Sequence, residues 1–271
     1  PERALAVAVV AGLFAATPDV DVVYAPVGLA LSGSGPSLDA FWAASSVTHR
    51  AVTHSLLLAV PVAAGATLWR RRPAVGALVL GGIVAVAAAV TGPLAGAIAV
   101  LFVLAALGVA VLARALGVGT RWTLAAALVG LLTHPFGDLF TGGPPGFLYP
   151  LDATLVADRV APFADPTHDL FLAFGVEVGA IWAGVLVAAA LAGVRVREHV
   201  RPRAAVGAAF AASILVLPNP TVDAAYGFVA GVVGTGAVGG LRRRDGPLTW
   251  VLTGLAAATV GGAAYAVAYL A

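Results

Sequence analysis

Two reactive side chains are missing from this sequence of 271 residues. It contains no cysteine, and all 15 of its basic residues are arginine, so it has no lysine. The first absence excludes disulfides, thiolate nucleophiles and cysteine-ligated metals, while the second excludes Schiff-base chemistry and a lysine general base. A transition metal bound by this chain must therefore be held by histidine, aspartate or glutamate.

Charge is also scarce. Only 10% of the residues are charged and 61% are hydrophobic, with a mean hydropathy of +0.99. Soluble domains carry about 25% charged and about 45–50% apolar residues, so a soluble fold of this size could not bury so much apolar surface. We therefore predict an all-α, polytopic transmembrane helical bundle in a cell membrane. It forms a single integral membrane domain over residues 1–271, with the motifs in 1–151 and mostly scaffold in 152–271.

Nine apolar runs are candidates for membrane-crossing helices, which need about 17–25 residues. Arginine, proline and glycine separate the runs. The first run is short, but no small-residue cleavage site marks it as a signal peptide, so we interpret it as a helix. The seventh run is also short. The predicted spans are 4–17, 52–69, 74–91, 93–113, 121–136, 169–193, 203–217, 222–240 and 247–270.

The arginines indicate which helix ends face the cytoplasm, because short cytoplasmic loops are enriched in basic residues. With the N-terminus inside and the helices alternating, only Arg50 and Arg159 fall outside. This clustering also means that the net charge of +2 does not indicate nucleic-acid binding. The same orientation brings most of the polar residues to the outer face, namely Asp19, Asp21, His49, His54, His134, Asp138, His168 and Asp169.

The most polar segment is THRAVTHS, residues 48–55, which holds two of the five histidines. If Thr53 is the N-cap of the following helix, His49 precedes that helix and His54 lies in its first turn, so both can face one centre. Arg50 lies outside against the positive-inside rule, and we predict that it holds an anionic group. The alternative interpretation is interfacial, because His and Arg side chains also extend to lipid headgroups.

Acidic residues follow the first predicted helix. Asp19 and Asp21 are two residues apart and can both face a cation if the backbone turns or is extended, and carboxylates suit Zn, Mg or Mn. The alternative is a helix end among the lipid headgroups, where acidic residues cost little.

A third polar group lies near the end of the fifth predicted span. His134 and Asp138 are four residues apart and would share a face in a helix. Pro135 and Gly137 instead favour a break in the helix at the membrane edge. Ionisable residues at such a depth are candidates for function.

Three further residues are possible additions to the same site. His168 and Asp169 lie near a predicted helix N-terminus, where acidic residues are favoured for structural reasons alone. Glu177 lies about two turns into the same apolar helix, as an orienting partner or a proton relay. The sequence does not decide between these roles.

The motifs together resemble a known family. They are P-D-x-D at residues 18–21, H-R-x-x-T-H-S at 49–55, H-x-x-x-D-x-x-T at 134–141 and G-F-L-Y-P at 146–150. Over roughly residues 4–151 the chain resembles the YdjM-like family of inner-membrane-associated, metal-dependent hydrolases. Ala51 stands where that family usually has Gly, and the segment from Asp21 to His49 is long. A further family histidine has no match before Asp19, so His168 or residues before Pro1 would have to supply it.

The resemblance implies a divalent metal, with zinc expected, and hydrolysis. We therefore predict a membrane-embedded metal-dependent hydrolase that acts on a membrane lipid or another amphiphilic (phospho)ester at the extracytoplasmic face. Asp138 is the predicted proton acceptor. A catalytic zinc usually has three protein ligands, so a larger set suits two or more metals, or ligands with orienting carboxylates. The predicted metal residues are Asp19, Asp21, His49, His54, His134 and Asp138.

Two alternatives belong to other classes. An ion-coupled transporter also uses broken helices and intramembrane His and Asp, although its site usually lies at the midplane between inverted repeats. A non-catalytic membrane scaffold would need none of these polar side chains.

Overall fold

The computed structural model of the chain describes residues 2–32, 35, 40, 50–217, 219–242 and 244–271. Five 3₁₀ helices lie among its α-helices, at Pro18–Tyr24, Val52–His54, Val196–Glu198, Pro202–Leu215 and Val222–Ala224. The α-helices are α1 Glu2–Ala16, α2 Ala25–Ser32, α3 Leu56–Leu68, α4 Pro73–Thr91, α5 Pro93–Ala115, α6 Thr120–Thr141, α7 Pro166–Ala192, α8 Tyr226–Gly240 and α9 Pro247–Leu270. No strand occurs in the described part of the chain, which confirms the all-α prediction.

Each of the predicted spans contains a helix. Within the described residues, five helices are long and apolar enough to cross a membrane, namely α4, α5, α6, α7 and α9. Glu2–Ala16 and Pro18–Ala30 pass the same test together, with a bend of 42° at the break between them. The helices at Leu56–Leu68, Pro202–Leu215 and Tyr226–Gly240 are apolar but shorter. The chain is therefore a multi-pass membrane protein.

Proline and glycine set several helix boundaries. α4, α5, α7 and α9 each begin at a proline, because the first turn of a helix does not need the missing N–H and favours the fixed φ. A single residue, Gly92, joins α4 to α5 with a φ of 106°. Only glycine adopts this backbone conformation without strain.

The predicted break at Pro135 and Gly137 is wrong. α6 continues through both residues and ends at Thr141. Proline removes one backbone hydrogen bond, but membrane helices tolerate it where neighbouring helices and hydroxyls satisfy the freed groups. The unbroken helix keeps two polar residues of the motif, four positions apart, on one face.

The chain divides into two compact units, Pro1–Leu139 with Gly143–Arg159, and Phe140–Gly142 with Val160–Ala271. The core of the first unit combines apolar residues of α1, α3, α4, α5 and α6. The core of the second unit is largely aromatic, with Phe210, Phe228 and Tyr265 buried together. The single integral domain expected from the sequence stays a prediction.

In the first unit, α1 and α6 touch at Gly130. A Cβ atom there would lie 2.5 Å from the carbonyl oxygen of Ala11 and 2.6 Å from the backbone nitrogen of Ala15. No side chain fits into this contact, so glycine allows the two backbones to meet, as small residues do in membrane bundles. Asp19 follows Ala15 by four residues, and His134 follows Gly130 by four residues. The crossing thus brings a carboxylate and an imidazole to the same end of the two helices.

In the second unit, Arg203 holds the end of α8. Its guanidinium donates hydrogen bonds to the carbonyls of Gly239 at 2.7 Å and Gly240 at 3.0 Å. The same group lies 2.7 Å from Asp245 Oδ2. A cation at a helix C-terminus is favourable because it meets the carbonyls that have no partner within the helix.

Candidate metal centre

His54 is the centre of the polar residues in the first unit. It is fully buried and ends the 3₁₀ helix Val52–His54, directly before α3. The N-cap of α3 is Ser55, whose Oγ accepts a hydrogen bond from the backbone N–H of Leu58 at 3.2 Å. The condition that Thr53 is the N-cap is therefore not met, because the chain turns once more before the helix begins. This extra turn directs the Thr53 hydroxyl into the polar cluster.

The loop before Pro150 holds this segment in place. The backbone N–H of Gly146 donates to the carbonyl of Arg50 at 2.7 Å, and the N–H of Leu56 donates to the carbonyl of Phe147 at 2.9 Å. Ser55 Oγ donates to the carbonyl of Tyr149 at 2.6 Å. Backbone and side-chain hydrogen bonds on both sides of His54 thus fix its position.

Four side chains from three parts of the sequence meet at the Nε2 atom of His54. His134 Nε2 lies 3.1 Å away, Asp138 Oδ2 3.1 Å and Asp19 Oδ1 3.6 Å. His134 Nε2 in turn lies 3.4 Å from Asp19 Oδ1 and 3.7 Å from Asp138 Oδ2. Asp19, His54 and His134 form a group that could hold a metal ion, with ligand atoms all within 4.8 Å of one another.

These separations are those of donor atoms around one small cation. In a tetrahedral zinc site with bonds of about 2.0–2.2 Å, neighbouring donor atoms are about 3.3–3.6 Å apart. The five separations given above run from 3.1 to 3.7 Å. Imidazole nitrogens and carboxylate oxygens are also the ligand types expected in a chain without cysteine.

The Asp138 oxygen gives a separate indication that the residues fit a cation. Among the described residues, Asp138 Oδ2 is buried and accepts no hydrogen bond of regular geometry, although two ring nitrogens lie near it. A buried acceptor without such a partner is costly. A water bound to a cation beside His54 and His134 would satisfy it.

Asp19 and Asp21 point in different directions, because their backbone is the 3₁₀ helix Pro18–Tyr24. Such a helix has 3.0 residues per turn, so side chains two positions apart diverge by about 120°. The side chain of Asp19 is half exposed and faces Nε2 of both histidines. Asp21 is fully buried and lies on the opposite side of the His54 ring, with Oδ2 3.7 Å from Nδ1.

Asp21 and His54 are connected through Thr53. The Thr53 hydroxyl donates to Asp21 Oδ2 at 2.7 Å and lies 2.8 Å from His54 Nδ1. The two nitrogens of the His54 ring therefore have distinct surroundings. The Nδ1 atom faces a hydroxyl and a carboxylate, while the Nε2 atom faces the proposed cation position.

Arg50 joins the two sides of the cluster. Its backbone N–H donates to Asp21 Oδ2 at 3.3 Å, and its guanidinium donates to the carbonyl of Gly143 at 2.9 Å. Another guanidinium nitrogen lies 3.8 Å from Asp138 Oδ1. The φ of Arg50 is 68°, a left-handed conformation that costs a non-glycine residue free energy and persists only where the surroundings fix it.

The carboxylates change the proton affinity of His54, which precedes α3 and lies outside the helices long enough to span. Burial opposes the charged imidazolium, but the neighbouring carboxylates of Asp138 and Asp19 outweigh it and raise the pKa of His54 from 6.5 to about 9. A raised pKa of this kind indicates a negative electrostatic potential at the site. Such a site would attract a divalent cation for the same reason.

Four other residues were predicted to belong to the site. His49 lies outside the described residues. His168 and Asp169 begin α7 in the second unit, where Asp169 Oδ1 accepts a hydrogen bond from the backbone N–H of Phe163 at 3.1 Å. Glu177 lies further along α7. That these three residues belong to the site stays a prediction.

Two further groups of the cluster were not predicted from the sequence, namely the Thr53 hydroxyl and the backbone carbonyl of Gly143. The position of Thr53 directly before His54 could have indicated that its hydroxyl takes part in the cluster. No signal in the sequence indicated Gly143, because any residue offers a backbone carbonyl.

The fold and the cluster define a multi-pass membrane protein with a His/Asp group that could hold a metal ion. The model of the YdjM inner membrane protein family matches residues 1–217, and the chain belongs to this family. The match extends beyond the roughly 150 residues in which the motifs lie. No curated protein and no solved structure matches the chain.

Proposed function

We propose that this protein is a metal-dependent hydrolase embedded in the membrane, with zinc as its metal and an amphiphilic phosphoester, such as a membrane lipid, as its substrate. The observation that carries the proposal is the meeting of Asp19, His54 and His134 within 4.8 Å. Three protein ligands are the usual number in a catalytic zinc site, which keeps a position open for water or substrate.

The cluster's own residues support a division of roles. A zinc ion in such a site supplies Lewis-acid chemistry, since it polarises an ester oxygen and makes water nucleophilic near neutral pH. Asp138 Oδ2 lies beside both histidines and is the group that accepts the proton from the attacking water. Arg50 lies next to Asp138 and pairs with the anionic phosphate.

Charge along three helices supports an extracytoplasmic site. α1 carries Arg3 near its start and leads to Asp19. α6 carries Arg121 in its first turn and His134 towards its other end. α3 runs in the opposite sense, from His54 to a run of three arginines. In each case the polar cluster and the arginines lie at opposite helix ends, and arginine-rich ends face the cytoplasm.

Exposed side chains near the cluster support an amphiphilic substrate. Half of the Asp19 side chain is exposed, whereas His54 is fully buried, so the cluster opens beside Asp19. Val23 and Phe136 lie on the same two elements as Asp19 and His134, and they are 61% and 47% exposed. Apolar groups beside a polar opening suit a substrate with a charged headgroup and an apolar tail.

Hydrolysis by the purified, zinc-loaded protein tests the proposal. The substrates are short-chain phospholipids and soluble aryl phosphates, with Asp138→Asn and His54→Ala as variants. We expect zinc-dependent hydrolysis in the wild type, loss of hydrolysis with zinc retained in Asp138→Asn, and loss of both in His54→Ala. Equal activity in the wild type and Asp138→Asn would contradict the assignment of Asp138. No hydrolysis of any phosphoester by the zinc-loaded wild type would contradict the function.

An ion-coupled transporter is the second candidate. The observation in its favour is the 42° bend between Glu2–Ala16 and Pro18–Ala30, because transporters bind ions at such breaks in a span. Flux measurements in proteoliposomes separate the two candidates. Ion-dependent uptake that is lost in Asp19→Asn, without hydrolysis, would favour the transporter.

A further inference from the structure

The hydrogen bonds on the Nδ1 side of His54 have no role in the mechanism proposed above. Three polar groups form a chain there, from Asp21 Oδ2 through Thr53 Oγ1 to His54 Nδ1, with separations of 2.7 and 2.8 Å. All three side chains are buried, so bulk water does not compete for these contacts. The direction of each hydrogen bond follows from the number of protons available.

Thr53 has one hydroxyl proton and two acceptors in reach. A carboxylate accepts but cannot donate, and charged acceptors form stronger hydrogen bonds than neutral ones. The hydroxyl proton therefore goes to Asp21 Oδ2, which also receives the backbone N–H of Arg50. The oxygen of Thr53 is then an acceptor towards His54, and only a protonated Nδ1 can complete the contact.

We propose that Asp21 acts through Thr53 to keep the proton of His54 on Nδ1, so that the lone pair of Nε2 faces Asp19 and His134. Asp21 is then a positioning residue and not a metal ligand, in contrast to the role expected from its spacing with Asp19. The inference rests on the proposed metal site for its consequence, but the position of the proton itself does not depend on a metal.

The contacts of Thr53 fit the opposite tautomer less well. With the proton on Nε2, the single hydroxyl proton of Thr53 would have to turn towards His54 Nδ1, and the 2.7 Å hydrogen bond from Thr53 to Asp21 Oδ2 would be lost. That loss is costly in a buried site. A proton on Nε2 would also lie on the only ring nitrogen that faces His134, Asp138 and Asp19.

The matched substitutions are Thr53→Val, which keeps the shape and removes the hydroxyl, and Thr53→Ser, which keeps the hydroxyl. Zinc affinity of the purified full-length protein is measured by competition with a chromophoric chelator. We expect Thr53→Val to bind zinc about 10–100-fold more weakly, the usual loss when a partner of a ligand histidine is removed. Thr53→Ser should restore affinity, which separates loss of the hydroxyl from loss of folding.

A double substitution tests whether Asp21 acts through Thr53. Asp21→Asn alone should weaken zinc binding, but in the Thr53→Val background it should change the affinity by no more than about twofold, because coupled residues are not additive. If Asp21 ligates the metal directly, Asp21→Asn will cause the same loss in both backgrounds. Unchanged affinity in Thr53→Val would also overturn the inference.

The proton itself can be located without zinc. In ¹⁵N-histidine-labelled, metal-free protein, NMR over a pH titration identifies the neutral form of His54, which should carry its proton on Nδ1, with His54→Ala identifying the signal. A proton on Nε2 overturns the inference. If the wild type binds no zinc while the proton is on Nδ1, the proposed function fails and the inference stands.

Discussion

Two histidines in this chain lie close to aspartates, but their surroundings differ. The side chain of His54 is fully buried, and its Nε2 lies within 3.6 Å of donor atoms from three other side chains. The side chain of His168 is 35% exposed and has Asp165 Oδ2 at 3.8 Å. The rings of Phe163, Phe171 and Tyr269 lie around His168.

The difference lies in where the partners come from. His54 meets residues 19, 134 and 138, which are far from it in sequence, whereas Asp165 is three residues before His168. Asp165 also accepts a hydrogen bond from the backbone N–H of Thr167 at 2.9 Å and so caps α7. A local pair at a helix start needs no function to explain it. A buried meeting of distant polar residues does, because ordering and burying them costs free energy.

The largest expected effect on zinc affinity comes from removing His54, with removal of His168 as the comparison. His54→Ala should lower zinc affinity by more than about 100-fold, the upper range for losing an outer partner alone, because a ligand is lost. His168→Ala is the matched control and should bind zinc like the wild type. Chelator competition on both proteins measures the effect. Similar affinities for the two variants would remove the distinction between the clusters.

Zinc affinity should also depend strongly on pH. Burial opposes charge on His54, but Asp138 and Asp19 raise its pKa from 6.5 to about 9, so a zinc ion must displace one proton below that value. Affinity should therefore rise about tenfold per pH unit up to about pH 9, with one proton released per ion. Calorimetry in buffers of different ionisation enthalpy counts that proton. A plateau that begins near pH 6.5 would show that the carboxylates do not raise the pKa.

The same shift changes the stability of the metal-free protein in the opposite sense. A raised pKa favours the folded state fully below the unfolded value of 6.5, and this contribution is lost as the pH rises through about 9. The metal-free protein should therefore unfold at a lower temperature as the pH increases over this range. The zinc-bound protein should not follow this trend, because zinc replaces the proton.

A smaller effect should follow from adding a methyl group at the contact between α1 and α6. Gly130→Ala places a methyl group 2.5–2.9 Å from atoms of α1, and such overpacking costs about 1–3 kcal/mol. Because the contact positions Asp19 beside His134, zinc affinity should fall with stability. The control is Gly108→Ala in α5, where nothing lies within 4 Å of the added atom. A stability loss in both variants would locate the cause in the helix backbone instead.

The smallest expected effect is at the cap of α7. Asp165→Ala should destabilise the protein by about 1 kcal/mol through loss of the N-cap, with no change in zinc affinity. Asp165→Asn keeps an equally good capping side chain and is the control. Thermal unfolding in detergent, with and without zinc, measures both quantities. A fall in zinc affinity in Asp165→Ala would connect this cluster to the metal.

The helices could be predicted because their signals are local. Apolar runs separated by arginine, proline and glycine gave a helix within each predicted span. The exception at Pro135 shows the limit of local signals, since the neighbours of a membrane helix decide whether proline breaks it.

The site could be predicted only in part. The outer-face assignment grouped His134 and Asp138 with Asp19 and His54, but the expected break at Pro135 and Gly137 hid the single helical face that the spacing of His134 and Asp138 allows. The separation of Asp19 from Asp21 could not be predicted, because it depends on a 3₁₀ backbone whose period differs from that of a helix or strand. The role of Thr53 depends on an extra turn before α3, which no residue type in the segment requires.

The central claim is that Asp19, His54 and His134 hold a divalent metal. The most direct test is the zinc content of the purified wild-type protein after incubation with zinc and dialysis, measured by mass spectrometry beside His54→Ala. We predict about one zinc ion per wild-type chain, as a three-ligand catalytic site requires, and a background amount in His54→Ala. Background zinc in the wild type, or equal zinc in both proteins, would contradict the account.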